Sequence, residues 1–452
     1  MGAIFSQQPF YLPYTRRFIG RCFMVAVMTS LVRAPLLVLV TVLASCGGGG
    51  GSGGSYSVEN ANDASALTKD PALAVFNDPG TGPWELVAAE ALIEECGLDP
   101  DILAIVDETA PFSYAIVRYG KLCHEFYRPD MPGKNEPVNN WSSTKTLAAT
   151  LVGRAILMSE DLPKPLRDTD RMDAWVDDIS FNSDAQVAHV LAMLGYNESL
   201  EFGQRIYSYD TGGSREINRL SDVVAEVIAQ DSARFSGTTT AGEFAQLEIF
   251  NRLGMNMSAW TGESFASTWH SNLRDMARLG TLLVHDGVWD QQRLVSSQWI
   301  YKMTHPAFED ANTAYGYLTW VASNSNYYFP GFDIKFRSPL GNCQPPAIWK
   351  EFPHTLSEST DCNYDGAYSC LQTYDVGVFG GLGAGGQNIA AHRGLDLVMV
   401  TRNAGGTATL TTPWDLIRTA LVEHDPVYAG DEDAFCKAYR EGDYAPDLIS
   451  IP

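Results

Sequence analysis

The chain has 452 residues, of which 45% are hydrophobic and 11% aromatic, enough to bury a large core in one domain or two closely packed ones. Its formal charge of −23, from 31 basic against 54 acidic residues, repels nucleic-acid phosphates and anionic membrane surfaces, so neither is expected as a partner. The eight histidines show no HxH or HExxH spacing and no CxxC pair occurs, so no zinc site is expected.

Residues 1–46 read as an export signal. They hold Arg16, Arg17, Arg21 and Arg33 and no acidic residue, and Arg33 precedes the apolar run APLLVLVTVLA at 34–44. Leu43-Ala44-Ser45-Cys46 followed by glycines resembles a bacterial lipobox, which implies that Cys46 is lipidated and that the protein is anchored to a membrane, facing the periplasm or cell surface. A transmembrane anchor over 23–44 is the alternative, although the run after Arg33 is short of the roughly 20 residues a span needs. Residues 47–82 open with GGGGGSGGS and are expected to be a flexible tether. The GxSxG match at 50–54 lacks the strand and helix that a nucleophile elbow requires. Six cysteines follow Cys46, and an even number in an exported chain suggests disulfides. Cys96 with Cys123 and a bridge within the 343–370 segment are expected, with buried free thiols as the alternative.

The folded domain is expected over 83–452. Helical spacing appears at 84–95, and alternating residues at 113–120 and 121–128 meet at a Tyr119-Gly120-Lys121 turn, predicting a hairpin. A helix follows over 143–158. Residues of about 157–310 read as a mainly helical lobe whose helices commonly stop at glycine. Strand character returns at 315–323, 373–380, 387–393 and 396–403, interrupted by a cysteine-containing insertion over about 324–369, and a helix at 412–424 closes the chain. This order predicts an α+β fold, with one antiparallel sheet flanked by helices, an inserted helical lobe, and a cleft between the two parts.

Trp141-Ser142-Ser143-Thr144-Lys145 opens the 143–158 helix, with Ser142 and Lys145 one turn apart on one face. A serine hydroxyl needs a nearby base before it can attack a carbonyl, and a lysine whose ammonium is disfavoured by burial can be that base. The short pattern alone is more often an N-cap serine with a solvent-facing lysine. Two companions strengthen it: Tyr207-Ser208-Tyr209 in the helical block, and Gly381-Leu382-Gly383-Ala384-Gly385-Gly386-Gln387 leading into a late strand. The glycines also match GxGxxG, but a nucleotide site needs a helix directly afterwards and the sequence there is strand-like.

In this order the three motifs resemble the serine β-lactamase and penicillin-binding-protein superfamily, most closely its class C-like branch of esterases and 6-aminohexanoate-dimer-hydrolase-like amide hydrolases. The stretches SNLRDMARLGTLLVHDGVW, AYGYLTWV and GGQNIAAHRGLDLVMVTRN add to the resemblance. It implies Ser142 as the acylated nucleophile, Lys145 as general base and Tyr207 as the proton shuttle to the leaving group. It also implies an oxyanion hole from the backbone N–H groups of Ser142 and Gln387. The acyl-enzyme route so implied calls for no metal or organic cofactor. Tyr209, Tyr315, Tyr317, Gly385 and Gly386 are expected to bind substrate, with Trp320 on the same wall. Trp141 and His270 are expected to be structural and His392 to face solvent. Two departures bear on the substrate. The third motif reads Ala384-Gly385-Gly386 where β-lactam-processing relatives carry a cation, and Tyr209 stands where an Asn is usual. Both favour cleavage of carboxylic esters or small amides over a β-lactamase or D-specific peptidase. A catalytically silent binding or sensor lipoprotein on the same fold is the alternative of another class.

Overall fold

The computed structural model describes residues 69–177, 184–194, 207, 209, 215–260, 264–308, 311–312, 314–322, 348–349, 371–372, 378–403 and 420–421. The chain divides into residues 1–58 and 59–452, and all described residues belong to the second unit. The export signal, Cys46, the glycine tract, most of the 324–369 insertion with its cysteines, and nearly all of the expected 412–424 helix lie outside the described residues.

Residues 69–82, expected to be tether, instead lie on the folded body. Phe76 stacks flat on His285 at 3.8 Å between ring centroids, and Asp78 Oδ1 accepts from the backbone N–H of Asp290 at 3.1 Å. Arg278, buried beside Trp84 and Trp289, donates to the carbonyls of Gly80 and Gly82. This strap is held by side chains of distant elements, so no local periodicity announces it. The expected helix at 84–95 is also corrected. Val87 N–H donates to the Leu122 carbonyl at 2.9 Å, drawing residues 86–87 to the sheet edge, and helix α1 is confined to Leu92–Cys96.

Helix α2 (Pro100–Thr109) starts where Asp99 caps the free N–H groups of Asp101 and Ile102, with proline at its first position. Strands β1 (Ser113–Arg118) and β2 (Lys121–Phe126) form the expected hairpin through Tyr119 and Gly120, both at positive φ. The expected Cys96–Cys123 disulfide ties α1 to β2, with Cα atoms 6.1 Å apart. After the short strand β3 (Val138–Asn139) comes helix α3 (Thr144–Ser159), buried over most of its circumference as its run TLAATLVGRA implies.

The lobe that follows contains α4 (Val187–Leu191), α5 (Arg215–Ala229) and α6 (Ala241–Ala245), the last running through a π-helical stretch at Gln246–Phe250 into α7 (Asn251–Leu253). Glu248 in the π stretch accepts from Arg154 of α3 at 2.7 Å and from Arg252 at 2.8 Å, a nearly water-free charge cluster joining α3 to the lobe. Strands β4 (Ala259–Trp260) and β5 (Trp269–Ser271) pair beside β3 in a small sheet of order β3-β5-β4. Helix α8 (Leu273–Val284), capped by Asn272, is followed by the β6 (Val288–Trp289) and β7 (Gln292–Arg293) hairpin and by α9 (Ser297–Thr304). The last strands are β8 (Trp320–Ala322), the pair β9 (Ile348–Trp349) and β10 (Leu371–Gln372), β11 (Val378–Gly383), β12 (Gln387–His392) and β13 (Leu397–Arg402).

The main sheet is antiparallel throughout, in the order β2-β1-β13-β12-β11-β8. Its centre joins the two ends of the domain, with Ser113 opposite Arg402 and Arg118 opposite Leu397. Every residue of β1, β12 and β13 is buried, so elements cover both faces, and α8 packs across β1, β12 and β13. Burial on both faces overturns the expectation for His392. It is 3% exposed, its Nδ1 accepts from Leu395 N–H, and burial pushes its pKa down to about 3. The fold class is the expected one: an antiparallel sheet flanked by helices, with a mainly helical segment between its early and late strands.

Candidate active site

Ser142 sits in a single 3-10 turn, Trp141–Ser143, that leads into α3. Trp141 enters it at φ +48°, a left-handed conformation that turns the chain sharply, and its N–H is held by Asn139 Oδ1 at 2.8 Å. The turn is fastened from behind. Asn140 N–H donates to the Trp269 carbonyl at 2.7 Å, Asn140 Nδ2 to Ser271 Oγ at 2.6 Å, and Trp269 N–H to Thr144 Oγ1 at 3.2 Å. Trp141, expected in the core, is about half exposed at 49%, because the left-handed residue projects from the turn instead of into α3.

Lys145, one turn along, is buried at 1% exposure. Its Nζ donates to Ser142 Oγ at 3.1 Å and to the Ala266 carbonyl at 2.9 Å. The amine thus points at the serine hydroxyl within hydrogen-bond reach, the geometry a proton acceptor for that hydroxyl needs. The Tyr209 ring lies 5.1 Å from Nζ. Tyr209 is stacked on Trp320 at 5.2 Å and meets Tyr315 edge-on at 6.2 Å, and Tyr315 also contacts Tyr207 at 5.4 Å. An aromatic wall therefore runs from Lys145 through Tyr209 and Tyr315 to Tyr207 and Trp320. Tyr317 is elsewhere. Its ring packs on Trp299 and its hydroxyl donates to Asp168 at 2.7 Å, so it serves packing instead of lining this wall.

Strand β11 closes the other side. Ser143 Oγ donates to the Gln387 carbonyl at 2.5 Å, fixing the start of β12 beside the serine turn. A side chain at Gly383 would put Cβ 2.2 Å from the Asn140 carbonyl, so β11 and the turn lie backbone to backbone. Gly385 and Gly386 turn β11 into β12 with φ of +80° and +82°, confirming a hairpin rather than the helix a nucleotide loop would need. Among the described residues β8 pairs with β11 only over 378–380, and Gly381–Gly383 extend past it towards Ser142.

Sequence reasoning missed the fasteners Asn140, Ser271 and Ser143, and the Ala266 carbonyl. A backbone carbonyl carries no residue-type signal. Asn140 lies directly before the motif, where a polar residue reads as an ordinary turn. His270, expected to be structural, is half-buried in β5 with Nδ1 on the Thr268 carbonyl at 3.0 Å.

The antiparallel core β2-β1-β13-β12-β11 has a Ser-x-x-Lys helix opening against β11. This arrangement agrees with the β-lactamase/transpeptidase-like fold that the sequence resemblance implies. No protein-family model matches the chain, and no curated protein does. Solved structures resemble it at low identity. A β-lactamase candidate from Bacteroides dorei is 10% identical with a TM-score of 0.47, covering 71% of this chain and 97% of its own. A family VIII carboxylesterase is 14% identical at 0.44, covering 74% and 98%, and a penicillin-binding-protein homologue from Caulobacter crescentus is 13% identical at 0.44, covering 71% and 96%.

Proposed function

We propose that this protein is a serine hydrolase that cleaves carboxylic esters or small amides through an acyl-enzyme on Ser142. The observation that carries the reading is the buried Lys145 amine 3.1 Å from Ser142 Oγ, at a turn held rigidly against β11. Ser142 Oγ attacks the substrate carbonyl while Lys145 takes its proton, and the tetrahedral oxyanion is held by the N–H groups of Ser142 and Gln387. Tyr207, within the aromatic wall, passes a proton to the leaving group with Lys145, and water then releases the acid. Gly385, Gly386, Tyr209 and Tyr315 border the bound substrate. Ala384, exposed at the hairpin tip, offers no charge to a substrate carboxylate, which favours neutral esters and amides over β-lactams.

Export and lipid anchoring at Cys46 belong to the same proposal. Support comes from the lipobox-like sequence and from the Cys96–Cys123 disulfide, which suits an oxidising compartment.

The experiment treats protein starting after Cys46 with a fluorophosphonate and maps the adduct by peptide mass spectrometry, with p-nitrophenyl butyrate turnover followed in wild type and Ser142→Ala. An adduct on Ser142 and loss of turnover in the variant are expected. An unlabelled Ser142, or full activity in the variant, rejects the mechanism. Faster turnover of a chromogenic cephalosporin than of the ester rejects the substrate class. In cells, Cys46→Ser should release the protein from the membrane fraction.

A further inference from the structure

Lys145 is asked to become a cation in a place water barely reaches. Its Nζ donates to Ser142 Oγ and to the Ala266 carbonyl. The first of these contacts changes during reaction, because Ser142 Oγ becomes an ester oxygen. The Ala266 carbonyl keeps its place beside the amine, and so does the Tyr209 ring, whose centroid is 5.1 Å from Nζ, within the distance at which an aromatic face attracts a cation. Burial raises the worth of that attraction, since the alternative of hydration is withheld.

The ring is also fixed. It lies on Trp320 at 27° between planes and is met edge-on by Tyr315 at 89°. Trp320 belongs to β8 and pairs with Gly380 of β11, so the support runs from the sheet through Trp320 to Tyr209 and on to the lysine.

We propose that Tyr209 is a positioning residue for Lys145, its ring face stabilising the ammonium formed when Ser142 is acylated. The inference rests on the Ser142–Lys145 reading and goes beyond it in giving Tyr209 a task in charge stabilisation as well as in bordering substrate. The step balances. The Ser142 O–H bond breaks as Oγ bonds to the acyl carbon, the proton moves to the Nζ lone pair, and the ammonium then returns one proton towards the leaving group. The proposed task needs the ring face, which Tyr209→Phe retains.

The test compares wild type, Tyr209→Phe and Tyr209→Leu in two readouts, kcat and KM for p-nitrophenyl butyrate and the rate of Ser142 phosphonylation. Tyr209→Phe keeps the face, so both of its rates should exceed those of Tyr209→Leu by about 5-fold or more. Tyr209→Leu should lower kcat and the phosphonylation rate by about 5- to 30-fold, the span expected for a desolvated cation–π contact, with KM little changed. Equal rates in Tyr209→Leu and wild type overturn the proposal, as does a rise in KM with kcat unchanged. A loss in Tyr209→Phe beyond 10-fold also overturns it, and that arm stands even if Tyr209→Leu does not fold. Wild type that labels at Ser142 while Tyr209→Leu labels equally fast removes this proposal alone. Wild type that never labels at Ser142 removes the underlying mechanism with it.

Discussion

Gly383→Ala is the substitution that most directly tests whether the contact between β11 and the serine turn matters. An ideal Cβ at this position stands 2.2 Å from the Asn140 carbonyl and 2.8 Å from the Gln387 carbonyl, where real Cβ contacts do not fall below 3.0 Å. Both obstacles are backbone, so no side chain can swing away, and the strand tip must retreat from Asn140 by at least about 0.8 Å. That retreat separates Gln387 from Ser142, the two residues proposed to hold the oxyanion. A misplacement near 1 Å, or the loss of one oxyanion donor, costs about 100-fold in rate. The strain should lower stability by only about 1–3 kcal/mol. The assay is kcat/KM for p-nitrophenyl butyrate beside urea unfolding, with Gly133→Ala as control, since a Cβ there meets nothing within 4 Å. A Gly383→Ala enzyme within 3-fold of wild type would refute the reasoning, because the backbone contact would then not be setting the site.

Three further outcomes follow from other parts of the molecule. Glu248→Gln leaves Arg154 and Arg252 facing an uncharged partner in a buried site and should destabilise by about 3–5 kcal/mol in urea unfolding, while a variant within 1 kcal/mol would deny that the cluster is desolvated. His392 stays neutral in the folded protein down to about pH 3 but takes a proton near pH 6.5 once unfolded, so its neutral burial costs stability progressively as pH falls from about 6.5 towards 3. His392→Gln should flatten that part of the stability–pH curve, and an unchanged slope would place the acid sensitivity elsewhere. Removing the Cys96–Cys123 bridge as the double Ala variant should cost about 3–4 kcal/mol for a closed loop of 27 residues, read as a lower unfolding midpoint.

The parts legible in the sequence are those whose signal is local. The β1–β2 hairpin follows from alternation and a Gly turn, α3 from an unbroken apolar run, and the Ser142–Lys145 pair from helical spacing that any α-helix would impose. Reading failed where distant groups decide. Residues 69–82 lack a period and are held by Arg278 and His285, almost two hundred positions away or more. The 84–95 segment has helical spacing, yet its first half is captured by Leu122 of the sheet edge. Tyr317 was expected in the cleft and His392 in solvent, and strand-like sequence cannot tell a half-buried strand from one covered on both sides. At the site, residue types pointed to the nucleophile and base, whereas the Ala266 carbonyl and the Asn140–Ser271 bond exist only once the chain has folded.

The pairing of Ser113 with Arg402 also governs the order in which the protein can assemble. As a chain emerges from its N-terminus, the β1–β2 hairpin, α3 and the lobe helices close local contacts early, but β1 keeps an open edge until β13 arrives. Such long-range strand closure is slow, and the waiting edge is exposed to pairing with other chains. Ser142 and Lys145 are neighbours in the 3-10 turn and the first turn of α3, whereas Gln387 reaches Ser143 only with the last strands. A nascent or truncated chain therefore carries the proposed nucleophile and base without the strand set against them. Under the proposed mechanism, appearance of hydrolytic activity would report completion of the sheet, making turnover itself a clock for the final folding step.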